Sequence, residues 1–65
     1  METFNFGNGP VPAHRHINPD GQVGGWVAET AVVSNTAWVM KNAWVFGNAR
    51  VSDGALVYGK AQVYG

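Results

Sequence analysis

The chain has 65 residues, four basic and four acidic side chains, and no cysteine. This length allows one small domain, which is only marginally stable unless it is stapled or oligomeric. The absence of cysteine excludes disulfides and thiolate metal sites, and the balanced, scattered charge argues against binding to nucleic acid or to an anionic membrane. No apolar run approaches the ~20 residues of a membrane-spanning helix, and no signal peptide is recognisable, so we expect a soluble protein that is not exported.

The first 24 residues, called here the lead segment, contain all three prolines and both histidines. Pro10, Pro12 and Pro19 disfavour helix and the interior of a sheet. We therefore predict that residues 1–24 form an irregular, turn-rich lead or cap, and that a second region occupies residues 25–65.

Valine recurs at every sixth position in the second region, and alanine stands two positions before each valine after the first. An α-helix would scatter a six-residue period around its circumference, whereas Ala-x-Val is the alternation of a strand that turns both side chains to one side. We predict that this side is the core. The valines are Val27, Val33, Val39, Val45, Val51, Val57 and Val63, and the preceding residues are Gly25, Ala31, Ala37, Ala43, Ala49, Ala55 and Ala61.

Two residues link each short strand to the next, and most of them are of types that favour turns. The pattern therefore predicts strands of about four residues separated by two-residue bends. The linking pairs are Glu29-Thr30, Asn35-Thr36, Lys41-Asn42, Gly47-Asn48, Asp53-Gly54 and Gly59-Lys60.

The unit Ala-x-Val-x-x-x, repeated over residues 25–65, resembles the hexapeptide repeat of left-handed parallel β-helices. The resemblance implies an all-β fold with three units per coil, a little over two coils, and alanine and valine inside a triangular prism. The segments GPVPAHRH and NPDGQVGGWV, with units such as AWVFGN, are also similar to short repeat proteins of tailed phages and prophages. That similarity implies the cytoplasm of a bacterial host or a virion as the location, and a host or phage protein as a partner.

Three units per coil sort the outward side chains onto three faces, two of which are rich in large apolar residues. Exposed apolar patches often mark interfaces, and Trp and Tyr are enriched at binding hot spots. We therefore predict that both faces are subunit interfaces. The aromatic face carries Trp26, Ala28, Trp44, Phe46, Gln62 and Tyr64, the apolar face carries Trp38, Met40, Leu56 and Tyr58, and the polar face between them carries Val32, Ser34, Arg50 and Ser52.

Two arrangements could cover these faces. Phe4 and Phe6 of the lead segment could pack on one of them, although a single short segment is too small to cover both. Alternatively, each subunit could present its aromatic face to the apolar face of a neighbour, which is a heterologous contact that must close into a ring or continue as a filament. Because faces of a triangular prism meet at an acute angle, three subunits bury both faces at once, and we predict a homotrimer.

His14, Arg15 and His16 form the densest group of chemically active side chains. On an extended segment the two imidazoles lie on one side, and three copies around an axis would offer a site to a first-row metal. The favoured interpretation is structural, with the histidines hydrogen-bonding the lead segment to the first coil. A third alternative is that the three residues line a cleft between subunits and bind a small anion such as a nucleotide. We predict no cofactor.

Catalysis is not predicted. Hexapeptide-repeat proteins are often acyltransferases, and the resemblance would then imply a catalytic histidine and a loop between coils; no loop interrupts this repeat, and neither histidine lies in it. Ser34 and Ser52 have no histidine nearby in sequence to activate them. We predict a non-enzymatic structural or interaction protein. The alternative is a module that binds a nucleotide-like anion between subunits.

Overall fold

The computed structural model describes residues 2–65, which are all-β as predicted and contain no helix. Five strands form one sheet in the order β1-β2-β3-β6-β9, and two further sheets are the pairs β4-β7 and β5-β8. The strands are β1 Thr3–Asn5, β2 Pro10–Ile17, β3 Val23–Ala28, β4 Val32–Val33, β5 Trp38–Val39, β6 Trp44–Phe46, β7 Arg50–Val51, β8 Leu56–Val57 and β9 Gln62–Tyr64.

The strands of residues 25–65 pair in parallel, and each pairs with a strand eighteen residues away. The paired valines are Val27–Val45–Val63 in the large sheet and Val33–Val51 and Val39–Val57 in the two small sheets. All six predicted linking pairs are turns. Three of these turns contain a glycine in the left-handed region that favours this residue, at Gly47, Gly54 and Gly59, with φ of 67°, 73° and 64°.

The predicted alanine and valine core is confirmed for the middle of the repeat. Val27, Val39 and Val45 are fully buried, and they pack with the inward alanines in one cluster. Burial weakens at the end of the repeat, where Ala55 and Val63 are only partly buried and Ala61, predicted to face inward, is exposed. Val63 lies on β9, the edge strand of the large sheet, which pairs with β6 on one side only.

Much of the lead segment is regular strand, which corrects the prediction made from its prolines, while residues 6–9 and 19–21 are bends and turns. β2 lies between β1 and β3 and runs antiparallel to both. The amide of Ala13 donates to the Glu2 carbonyl beside β1, at 3.0 Å. Since successive amides in a strand point in opposite directions, the nitrogens of Pro10 and Pro12 face the other side. There β3 pairs with β2 only from Ala13 onward, so the ladder needs no donor from either proline.

The resemblance to hexapeptide-repeat left-handed parallel β-helix proteins is wrong as a description of this fold. The described residues form small mixed sheets with parallel and antiparallel pairs, and they show no closed or solenoid arrangement. The mixture arises because the chain reverses between β2 and β3. Asn18 receives a hydrogen bond from the amide of Gly21 at 2.8 Å and donates its own amide to Gln22 at 2.9 Å. This turn lays β2 antiparallel along the edge of β3.

Gly24 and Gly25 lie where the backbone passes closest to other strands. A Cβ atom at Gly25 would overlap the carbonyl oxygens of Met40 and Ala43, and one at Gly24 would overlap the carbonyl of Val39. Both glycines are buried. This close approach explains why Gly25 occupies the position that alanine takes in the later units.

Candidate functional site

The aromatic face is covered by two rings of the lead segment. Phe4 stacks on Trp26 with ring centroids 4.8 Å apart, and Phe6 stacks on Phe46 at 5.1 Å. Both rings also meet Trp44 edge to face, at 5.3 and 5.8 Å. Such stacked and edge-to-face pairs are favourable beyond the area that they bury. Packing of the lead segment on this face is therefore the arrangement found in the structure.

This packing changes the premise of the predicted trimer, which assumed two bare faces. Trp26, Trp44 and Phe46 are half-buried within the chain itself. Tyr64 stacks on Phe46 at 5.3 Å but remains exposed at the end of the large sheet. A role for these four residues in a subunit interface stays a prediction.

The apolar face, by contrast, remains uncovered. Its side chains project from β5 and β8, where Trp38 pairs with Leu56. Leu56 is 57% exposed and Tyr58 is 66% exposed, while Trp38 and Met40 are half-buried. In the described chain, no ring of the lead segment stacks on this face. Of the two apolar surfaces that the sequence predicted, it is the one on which, within residues 2–65, no ring of the lead segment stacks.

His16 and Asn18 are the buried polar side chains among residues 2–65. Nε2 of His16 lies 2.8 Å from the carbonyl oxygen of Ala37. Asn18 donates through Nδ2 to the Val39 carbonyl at 3.1 Å and accepts from the Val39 amide through Oδ1 at 2.8 Å. Because β5 pairs with β8 on its other side only, these two side chains take the place of a missing neighbouring strand. The contact of His16 with Ala37 is of the kind that the structural interpretation predicts, while no signal in the sequence pointed to Asn18.

His14 has a different environment. It is exposed, and its Nδ1 lies 2.7 Å from Oε2 of Glu29 in the first turn of the repeat. A bulge between Arg15 and Ile17 shifts the strand register beside it. The two imidazoles thus contact different partners. No group of three or more His, Cys, Asp or Glu residues in the described range could hold a metal ion.

Arg15 points to the opposite side of β2 and joins a groove beside the aromatic face, called here the basic groove. Its guanidinium carbon lies 5.1 Å from the centroid of the Trp26 ring, which is a cation–π distance. Three of the four basic residues of the chain are gathered there, although they are scattered along the sequence. The groove is lined by Phe4, Arg15, Lys41, Asn42, Trp44, Lys60 and Gln62.

The fold explains why these residues meet. The turns at 41–42 and 59–60 lie at the same corner, because strands eighteen residues apart pair with each other. β2 places Arg15 opposite Trp26 on β3, and Trp26 in turn pairs with Trp44 on β6. Applied to the turns, the eighteen-residue period of the sequence predicts that Lys41 and Lys60 lie close together. Arg15 was singled out from the sequence, but only the antiparallel pairing of β2 puts it in this groove.

Two other features of the structure lack a catalytic arrangement. Ser34 donates its hydroxyl to the carboxylate of Asp53, and both histidines contact other residues, so no histidine stands beside the serine as in a nucleophilic triad. A second cavity, of about 330 Å³, lies between residues 6–12 of the lead segment and the first units of the repeat, and its lining is mostly apolar. Neither feature combines a serine with a histidine.

No family model, curated protein or solved structure matches the chain. The comparisons therefore give no support to the resemblance to hexapeptide-repeat or phage proteins, and the location and partners that it implied are not proposed. Within residues 2–65, no helix has the length and apolar character needed to cross a membrane.

Proposed function

We propose that this chain is a non-enzymatic interaction protein that acts by self-association through its apolar face. The observation that carries the proposal is the difference between the two faces. Phe4 and Phe6 cover the aromatic face from within the chain, whereas Leu56 and Tyr58 stand exposed on the apolar face. A 65-residue chain gains stability from burying such a patch against a second copy.

The geometry favours a two-fold dimer. Contact between two apolar faces is isologous, because the same patch is used on both subunits, and it closes without leaving a free face. The trimer requires the aromatic face of one subunit to contact the apolar face of the next, and the rings of the lead segment already occupy much of the aromatic face. The homotrimer stays the alternative assembly.

Native mass spectrometry and sedimentation equilibrium test this proposal. We expect twice the chain mass of 6.9 kDa, and a mass three times that of the chain would favour the trimer instead. Leu56→Glu should shift the protein to monomer. Val32→Glu is the matched control, because Val32 is 61% exposed and Leu56 is 57% exposed, and Val32 lies on the polar face. A folded monomer at micromolar concentration, or equal effects of the two variants, would contradict the proposal.

Binding of a small anion is the second candidate function. The observation that favours it is the gathering of Arg15, Lys41 and Lys60 in one groove. The sequence predicted such a site at His14, Arg15 and His16 between subunits. Since His14 contacts Glu29 and His16 contacts Ala37, Arg15 is the member of that group that remains suited to an anion.

We also propose a finer description of the architecture, independent of any family. Residues 25–65 would follow a left-handed path of a little over two turns, with three strands to a turn. The constant offset of eighteen residues between paired strands supports three strands to a turn, as does the single alanine and valine cluster that the three sheets share. A crystal structure would test it through the handedness of the connections between the sheets.

A further inference from the structure

We infer that the basic groove binds a small molecule that has both a phosphate group and a planar aromatic ring, as a nucleoside monophosphate does. This inference rests on the second candidate function and gives it a ligand class. It does not depend on self-association, because every residue of the groove belongs to one chain.

Charge is the first argument. Arg15, Lys41 and Lys60 line the groove, and no acidic residue does. The ion pair found among residues 2–65 joins Glu29 to His14, away from these three cations. Although the chain has no net charge, three positive charges are concentrated in one place and repel one another. A phosphate, with several acceptor oxygens, relieves that repulsion and accepts charge-assisted hydrogen bonds from all three.

Polar groups beside the cations supply neutral donors. Asn42 and Gln62 line the same groove, and both are exposed. Their amides can donate to phosphate oxygens or bind the polar edge of a heterocycle. Arg15 is also held in position, since its guanidinium lies over the Trp26 ring and so loses less freedom when a ligand binds.

The aromatic wall argues for a ring on the ligand. Phe4 and Trp44 line the groove with half-buried rings. Inorganic phosphate alone would leave this wall in contact with water, whereas a planar heterocycle would cover it by stacking, which contributes to affinity for any base. The groove has a volume of about 440 Å³, which is within the range of sites for single small molecules. A mononucleotide therefore fits the groove better than a polymer.

Isothermal titration calorimetry with adenosine 5′-monophosphate, ribose 5-phosphate and adenosine tests the inference. We expect the nucleotide to bind at least ten times more tightly than either fragment, with an affinity that falls as salt is added. Lys41→Gln and Lys60→Gln should each weaken nucleotide binding about tenfold, the effect of losing one charge-assisted hydrogen bond. Arg50→Gln is the matched control, because Arg50 is the basic residue that lies outside the groove, on β7. It should leave affinity unchanged.

The outcomes separate the ligand class from the function. Equal affinity for the nucleotide and for ribose 5-phosphate would contradict the inference that the ligand needs an aromatic ring, and would leave the proposal of anion binding intact. No binding of either phosphate compound, or equal losses in the Lys60 and Arg50 variants, would overturn the site together with the second candidate function. Affinity that rises with the length of an added oligonucleotide would show that the groove binds nucleic acid and would contradict the inference of a small ligand. Circular dichroism of each variant establishes that it is folded.

Discussion

The repeat and the lead segment satisfy the backbone of the central strands in different ways. On the side of β5 that faces β8, the amides of Trp38 and Met40 donate to the carbonyls of Ala55 and Val57, as in any parallel pair. On the opposite side of β5, the side-chain amide of Asn18 donates a hydrogen bond to the Val39 carbonyl and accepts one from the Val39 amide. One side of the same strand thus depends on a periodic backbone, and the other on individual side chains. The difference teaches that a repeat can be closed by side chains without a further repeat unit.

The two regions also use their apolar residues differently. The repeat buries small side chains, alanine and valine, in a cluster shared by its three sheets. The lead segment instead adds large rings from outside, with Phe4 and Phe6 packed on rings that point away from that cluster. Loss of a small inward side chain should therefore affect the whole molecule, while loss of a contact in the lead segment should have a smaller, local effect.

The largest effect should follow from breaking the core of the repeat. Val45→Asp would bury an unpaired carboxylate at a position with no exposed surface. An uncompensated buried charge costs about 3–5 kcal/mol, as much as the whole stability of many domains of this size. We expect no cooperative thermal unfolding transition by circular dichroism. Ser52→Asp, at an exposed position of the polar face, is the control and should hardly change the melting temperature. Equal melting temperatures of the two variants would show that the inward and outward assignments are wrong.

A smaller effect should follow from removing the side chain that hydrogen-bonds the unpaired edge of β5. Asn18→Ala would leave the buried amide and carbonyl of Val39 without their partners. Leaving a buried group unsatisfied costs about 1–3 kcal/mol, so urea unfolding should show a free energy of unfolding lowered by about 2 kcal/mol. Asn35→Ala, in an exposed turn, should lower it by less than about 0.5 kcal/mol. If the two variants were equally stable, the side chain of Asn18 would not be replacing a strand.

The smallest effects should distinguish the two histidines. His16→Ala removes a buried hydrogen bond and should cost about 1 kcal/mol. His14→Ala removes an exposed contact with Glu29, and such pairs contribute about 0.5 kcal/mol or less. Thermal unfolding of the single variants measures both. Elemental analysis of the parent protein and of the double variant provides a second readout: stoichiometric iron or zinc that is lost in the variant would contradict the structural role.

The sequence by itself determined the periodic part of this protein. Inward valines, small neighbours and two-residue turns can be identified from residues 25–65 because each unit faces nearly the same surroundings as the unit before it. Local alternation therefore predicts burial at Val39 and Val45, and the turns at all six linking pairs. The strand offset of eighteen residues also brings Lys41 and Lys60 to one corner.

Only the tertiary structure decided what the lead segment does. The prolines predicted an irregular chain, yet β2 accommodates Pro10 and Pro12 where its amides face no paired strand. Nothing in the order of residues shows that Phe4 and Phe6 cover the aromatic face, that Asn18 closes β5, or that Arg15 joins two distant lysines. These contacts occur once each and connect residues far apart in the chain. They depend on how the reversed strand packs against the repeat, and no local period encodes that packing.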